Sequence, residues 1–419
     1  MRVIAFDTET HLIAPGRPTP KVVCFSFAEY RREAIPECRE ADRIWRMADP
    51  YVIKGRELAA PPPKLVTGLL TPKLGCEALR GWLLDPDILI VGHNVWFDLG
   101  VCISEEPSLL PLVFFALEAG RIVDTMIRQQ LIDIADGSLA FHYDEETGEI
   151  TRSQYHLADL SYRLLRRYLK KEDTWRLRYA LLDGVSLTEW PAEAVDYSIL
   201  DSVVTLDIYN EQDVIATAPT SVMVTMRELA LVADGRGGAA PSTEIIINSA
   251  NQHRAAFALY LQSVYGVRTD GQSVAELKAD LEKEFNEKML ALRPSGLFKI
   301  APARALKSGP RKGQIEPEKV TKNMTEIRGR TKASLDALGI EVRLTDGGDV
   351  CADRKALKAT KDPMLVALAE VGATMKLLET YIPVLERGAR YPINPRYNVL
   401  VDTGRTSCSS PNVQNLPRG

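Results

Sequence analysis

The sequence predicts an α/β sheet domain ending near residue 215, followed by a mainly helical region. Three observations carry this. Residues 1–7 and 21–29 are apolar and rich in β-branched residues, as strands are. Asp87-Ile88-Leu89-Ile90-Val91 is a short apolar run bounded by Pro86 and Gly92, the pattern of a strand buried on both faces. Leu157, Leu160, Leu164 and Tyr168 recur at three- or four-residue steps, with Arg163, Arg166 and Arg167 on another face, which is helical periodicity. Strands interspersed with helices argue for a sheet covered by helices.

The remaining elements follow in chain order. Pro61-Pro62-Pro63 marks a loop. Leu79 to Leu84 reads as the end of a helix. A further helix is expected from Pro191, a good first helical residue, to about Asn210. Ala216 to Gly238 reads as a linker with a short helix. Residues 250–292 and 316–340 are charged and amphipathic and predict antiparallel helices, with an exposed Gly-, Pro- and Lys-rich loop between them. Pro363 to Leu385 supplies another helix, and from Tyr391 the chain turns extended and polar. There is no internal repeat.

The 419 residues suffice for two or three domains, each with its own core. A hydrophobic content of 45% and a charged content of 26% are those of a soluble globular protein. No apolar run approaches the roughly 20 residues of a membrane helix. The first residues read as a strand and not as a signal peptide. Six scattered cysteines without a C-x-x-C pair argue against a zinc ribbon or a disulfide framework, and the cytoplasm fits best. The net charge of −4 hides a local excess: residues 299–332 hold ten Lys or Arg against three Glu. Such a stripe can bind phosphates, although charge alone favours a solvated loop-and-helix face.

Three acidic elements stand out. Asp7-Thr8-Glu9 ends the first strand, and residues i and i+2 of a strand point to one side. Two carboxylates so placed repel each other unless a cation lies between them. Gly92-His93-Asn94-Val95-Trp96-Phe97-Asp98 follows the buried strand directly. There Asn94 can cap the next helix, and Asp98 falls about one turn in. In Tyr197-Ser198-Ile199-Leu200-Asp201 the phenol and the acid share a helix face. Each element alone is common on protein surfaces.

In this order, D-x-E, N-x-x-x-D and Y-x-x-x-D resemble the DEDDy exonuclease family, the proofreading type within DNA polymerases and the RNase D type. Asp124-Thr125-Met126 and His156-Leu157-Ala158-Asp159-Leu160 resemble supporting segments of that family. The resemblance covers about residues 1–210 and implies a ribonuclease H-like mixed sheet. Phosphodiester hydrolysis needs an activated water, in-line geometry and neutralised charge on the departing oxygen, which two divalent ions about 3.5–4 Å apart supply. Hard cations such as Mg²⁺, or Mn²⁺ in its place, take carboxylate oxygens. By resemblance, Asp7 would bridge both ions, Glu9 and Asp201 would hold one, Asp98 would support the other, and Tyr197 would orient the attacking water. His93 is expected to be structural.

The second half resembles a family A (DNA polymerase I-like) DNA polymerase. Tyr265-Gly266-Val267-Arg268-Thr269-Asp270 is similar to the element opening that family's thumb helices, and Lys376-Leu377-Leu378-Glu379-Thr380-Tyr381 to the segment leading to its palm. Thr403-Gly404-Arg405-Thr406-Ser407 and Pro411-Asn412-Val413-Gln414-Asn415-Leu416-Pro417 resemble its T-G-R-x-S…P-N-x-Q-N-x-P signature. The expected division is an exonuclease domain over 1–215, a thumb-like DNA-binding region over 216–390, and the first palm strands over 391–419. The resemblance implies DNA contacts from Asn94, Arg405, Gln414 and Asn415, and phosphate contacts from Lys319 and Lys322 near the thumb tip. The family's palm aspartates and fingers do not occur among these residues. The expectation is therefore a metal-dependent 3′–5′ DNA exonuclease that does not extend a primer alone. A second chain supplying palm and fingers is a further expected partner besides primer-template DNA and single-stranded 3′ ends; this chain would then hold DNA as one half of a split polymerase.

Overall fold

The computed structural model describes residues 1–33, 35–49, 63–136, 139, 141–143, 150–169, 174–217, 249–305, 315–316, 319–345, 347–401 and 405–415. Two compact units are present. One comprises Met1–Gly266 with Asn394–Pro417, the other mainly Val267–Ile393.

The first unit is built on a seven-stranded mixed sheet. Its strands are β1 (Arg2–Thr10), β2 (Val22–Arg31), β3 (Cys38–Arg39), β4 (Arg43–Ala48), β5 (Lys64–Leu70), β6 (Ile88–Gly92) and β7 (Ile122–Asp124), in the order β3-β4-β5-β2-β1-β6-β7. β1 is central: it pairs antiparallel with β2 and parallel with β6. The β1, β2 and β6 strands were legible from their apolar runs. The β3–β5 meander was not, because its residues lie among Arg and Pro and its longest strand carries Gly68. That glycine is where the Phe27 ring lies, in the space a side chain would fill.

Alternation along the strands sorts the core into two layers. Ile4, Phe6, Phe25, Phe27, Ile88 and Ile90 pack on one face beneath α1 (Pro72–Leu84), α2 (Val95–Glu105) and α3 (Leu109–Glu118). Ala5, Cys24, Ala28, Leu89 and Val91 pack on the other face with Val195, Ile199 and Val203. Those last three lie on α6 (Ala192–Thr217), which starts one residue after Pro191 and runs past the expected end. Between them come α4 (Thr125–Asp136), a hairpin of β8 (Phe141–Tyr143) and β9 (Ile150–Arg152), and α5 (Leu157–Leu165). The sheet with helices on both faces is a ribonuclease H-like α/β domain.

α7 (Ser249–Tyr265) groups with this unit, and its Phe257 stacks against Trp96 with ring centroids 5.8 Å apart. Gly100 on α2 permits this approach, since a Cβ there would meet the Tyr260 ring. Most of the expected linker, residues 218–238, lies outside the described residues.

The second unit is mainly helical. α8 (Gly271–Leu292) starts at Asp270, whose carboxylate accepts from Ser273 N at 2.8 Å. Leu292, Ile327, Leu357, Leu365, Leu368 and Val371 form the core under α9 (Met324–Ala337), α10 (Arg354–Ala359) and α11 (Pro363–Lys376). The helix expected over Pro363 to Leu385 is interrupted by a π turn at Leu377–Tyr381 before α12 (Ile382–Gly388). The stretch expected as an exposed loop contains β10 (Phe298–Ala301) and β11 (Arg304–Ala305), and the helix expected over 316–340 starts only at Met324: β13 (Lys319–Lys322), in its first part, pairs with β10, and β12 (Ile315–Glu316) pairs with β11. Alternating apolar residues at Phe298, Ile300 and Val320 explain the pairing, which a count of Gly, Pro and Lys hides. The extended tail forms a hairpin of β14 (Arg396–Asn398) and β15 (Ser407–Ser409), which belongs to the first unit.

Candidate active site

Strand parity decides which side of the sheet each acid occupies. Asp7 and Glu9 share the parity of Ala5 and face α6, whereas Thr8 shares the parity of Phe6 and faces α2. A register shift between Glu9 and Thr10 marks a bulge at the end of this strand, a device that re-aims side chains beside functional sites.

Small polar residues hold α6 close to the sheet. Ser26 Oγ donates to the Ser198 carbonyl at 2.8 Å and lies 2.7 Å from Ser202 Oγ, and Cys24 Sγ lies 3.5 Å from Ser198 Oγ. Ser26 pairs with Asp7 across β1–β2. The helix face that touches Ser26 is therefore flanked by Asp201, which reaches the end of β1. Carboxylate oxygens of Asp7, Glu9 and Asp201 all lie within 4.8 Å of one another.

Asp98 arrives from the other face. Its Oδ1 accepts from Thr8 N at 3.0 Å and from Thr8 Oγ1 at 2.6 Å, so it is pinned to the peptide between the two β1 acids. It stands close enough to Asp7 to raise that carboxyl. Tyr197, one turn before Asp201, lies beside Asp201, Glu9 and Asp7.

The electrostatics are those of crowded like charges. Burial, then Asp98, Asp201 and Glu9, hold the Asp7 carboxyl well above the usual range. Burial pushes Asp98 up to about 7, against the two Thr8 hydrogen bonds. It pushes Asp201 up to about 6. Burial and the neighbouring carboxylates raise the Tyr197 phenol, so its Oη keeps its proton at neutral pH. Oxygen donors from three residues, converging where their charges repel, fit a hard divalent cation.

The cap of α2 differs from expectation. Asn94 is left-handed at φ 58° and its side chain makes no cap bond. The cap is Asp124, thirty residues away: its carboxylate accepts from Asn94 N at 3.3 Å and Val95 N at 3.1 Å, and also from Met126 N at 2.8 Å and Ile127 N at 3.2 Å at the start of α4. One buried acid thus fixes the N-termini of both helices. Asn94, freed from capping, is exposed. His93 Nδ1 lies 2.9 Å from Thr125 Oγ1, and burial lowers its pKa to about 4, so the ring stays neutral.

With this geometry in place, residues 65–212 match the family model described as 3′-5′ exonuclease, that of the DNA polymerase A family. That segment is similar to the 3′–5′ exonuclease domain of the DNA polymerase A family. The POL domain of Pol1 from M. smegmatis, solved in complex with DNA primer-template and dNTP, has a similar fold, with a TM-score of 0.51 at 15% identity. That likeness covers 99% of this chain and 53% of the other, so the chain spans about half the length of that polymerase domain. No curated protein matches in sequence. Asp98, Asp124, Tyr197 and Asp201 lie within the matched exonuclease segment, and β1, with Asp7 and Glu9, precedes it.

Asn94 apart, the residues expected to touch DNA lie far from the acid cluster in the chain. Arg405, Gln414 and Asn415 are exposed on the tail, and Asn412 Oδ1 accepts from Asn415 N at 3.2 Å. Thr403, Gly404, Leu416 and Pro417 lie outside the described residues. Lys319 and Lys322 end β13 in the second unit, where Lys322 is exposed. Periodicity gave no sign of Arg176, on the 3-10 turn Thr174–Leu177, whose charge acts on Asp201 and Tyr197.

Proposed function

We propose that the exonuclease domain removes nucleotides from the 3′ end of DNA with two divalent cations, Mg²⁺ or Mn²⁺, and that it is the proofreading part of a replicative family A polymerase. The observation that carries this reading is the convergence of Asp7, Glu9 and Asp201 oxygens within 4.8 Å, with Tyr197 beside them. Bound cations would activate water and neutralise the departing oxygen. Asp7, Glu9 and Asp201 would hold them, and Asp98 would support the second ion while stiffening the strand end through Thr8. Tyr197 would orient the attacking water through a phenol that keeps its proton. In this reading residues 216–390 serve as a thumb-like grip and 391–419 begin a palm. Asn94, Lys319, Lys322, Arg405, Gln414 and Asn415 would be the DNA contacts.

The test uses the whole purified chain with 5′-labelled single-stranded DNA, and the same sequence as RNA, in Mg²⁺ or chelator. Stepwise shortening of DNA from its 3′ end, stopped by chelator, is expected. Preferential trimming of RNA would assign the site to an RNase D-like processing role instead.

A further inference from the structure

One guanidinium stands at the edge of the acid cluster with its charge uncommitted. Arg176 lies on the 3-10 turn Thr174–Leu177 and is exposed. Among the described residues it forms neither a hydrogen bond nor an ion pair. Aromatic packing sets its place. The Trp175 ring lies 6.3 Å from that of Tyr179, which lies 6.1 Å from that of Tyr197. Tyr179 Oη donates to the Ala194 carbonyl at 2.6 Å, in the first turn of α6. The turn is thereby fastened to the part of α6 that carries Tyr197 and Asp201. Its charge acts on both Asp201 and Tyr197, so the guanidinium stands near them.

A guanidinium placed to neutralise Asp201 would close on it, as Arg163 closes on Asp133 at 2.8 Å elsewhere in this unit. Arg176 instead stays open to solvent. A polyanionic strand entering a nest of carboxylates meets repulsion, and a planar donor fork at the rim matches a phosphate in shape and charge. We propose that Arg176 is a positioning residue that holds a backbone phosphate of the strand whose 3′ end enters the acid cluster. This rests on the nuclease reading above, but its test does not depend on cleavage.

The experiment measures single-stranded DNA binding by the whole chain in chelator, and 3′ degradation in Mg²⁺, for wild type, Arg176→Ala and Arg176→Lys. Arg176→Ala is expected to weaken binding about tenfold, as loss of a charged hydrogen bond does, with Arg176→Lys recovering much of it. The slope of log affinity against log salt should flatten by about 0.7, one phosphate contact on a single strand. In the degradation assay KM should rise by a similar factor with kcat nearly constant. Unchanged affinity and salt slope in Arg176→Ala, or a loss confined to kcat, overturns the proposal. Cleavage by wild type is read separately: its absence sinks the nuclease reading, while the binding result still decides Arg176.

Discussion

Two sets of buried acids in the first unit are treated in opposite ways. Glu29 is 2% exposed and accepts from Arg2 at 2.8 Å and Arg31 at 2.7 Å. Asp133 is 3% exposed and accepts from Arg163 at 2.8 Å, Tyr155 Oη at 2.7 Å and Gln129 Nε2 at 2.7 Å. At the end of β1 the treatment reverses. Among the described residues no ion pair involves Asp7 or Asp201, and burial, then Asp98, Asp201 and Glu9, raise the Asp7 carboxyl. The fold supplies arginines where a buried charge must be neutral for stability. Where it leaves acids facing each other, the neutralising charge is expected from outside, and burial keeps that charge effective.

The largest effect tests the site side of this contrast. Asp7→Ala or Asp201→Ala should slow 3′ degradation by roughly three orders of magnitude, comparable to removing an electrostatic stabiliser of a transition state. The melting temperature in chelator should not fall, because each substitution removes a repelled charge. Near-wild-type degradation rates would break the comparison. Asp133→Asn tests the other side. It leaves Arg163 buried without its anion and should cost about 3–5 kcal/mol of stability by chemical denaturation, with the activity of the folded fraction unchanged.

A third outcome is pH-dependent. Asp201 titrates near 6 in the folded protein but near 3.9 when unfolded. Between these values the folded chain retains a proton that the unfolded chain has lost, so this group makes stability fall as pH rises. Asp201→Asn should therefore match wild type near pH 4 and exceed it above pH 6 by up to about 3 kcal/mol in chelator. Added Mg²⁺ should shrink that gap by stabilising only the wild type. A gap that opens on acidification would contradict the assignment of Asp201 to the crowded set. Tyr197→Phe should lower kcat about tenfold, the worth of one hydrogen bond, with KM steady. The smallest change belongs to the basic hairpin of the second unit. Lys319→Ala with Lys322→Ala should flatten the salt slope of duplex binding by about 1.8, two phosphate contacts, and leave 3′ degradation of single strands alone.

What was legible in the sequence was periodic. The i, i+2 step placed Asp7 and Glu9 on one side, and the i, i+4 step placed Tyr197 and Asp201 together. The apolar run 88–91 announced a buried strand. What was hidden depends on contacts between distant segments. Asp98 acts on Asp7 from α2, but its tie to the Thr8 peptide and hydroxyl had no sign in the sequence pattern. Asn94 looked like a cap, but Asp124 does that work for two helices from thirty residues away. Arg176 sits on a 3-10 turn with no repeating pattern, and the tilted ring contacts of Trp175 with Tyr179 and of Tyr179 with Tyr197 link that turn to the acids. β10 and β13 were masked by the basic residues between and within them.

The most direct measurement is the length of a 5′-labelled single strand over time, resolved to single nucleotides, with the Asp7→Ala, Asp201→Ala double variant run beside the wild type. In Mg²⁺ the wild type should erode the 3′ end one nucleotide at a time while the folded double variant leaves the strand intact. Equal erosion by both chains, or erosion that persists in chelator, would contradict a cation-holding acid cluster as the seat of cleavage.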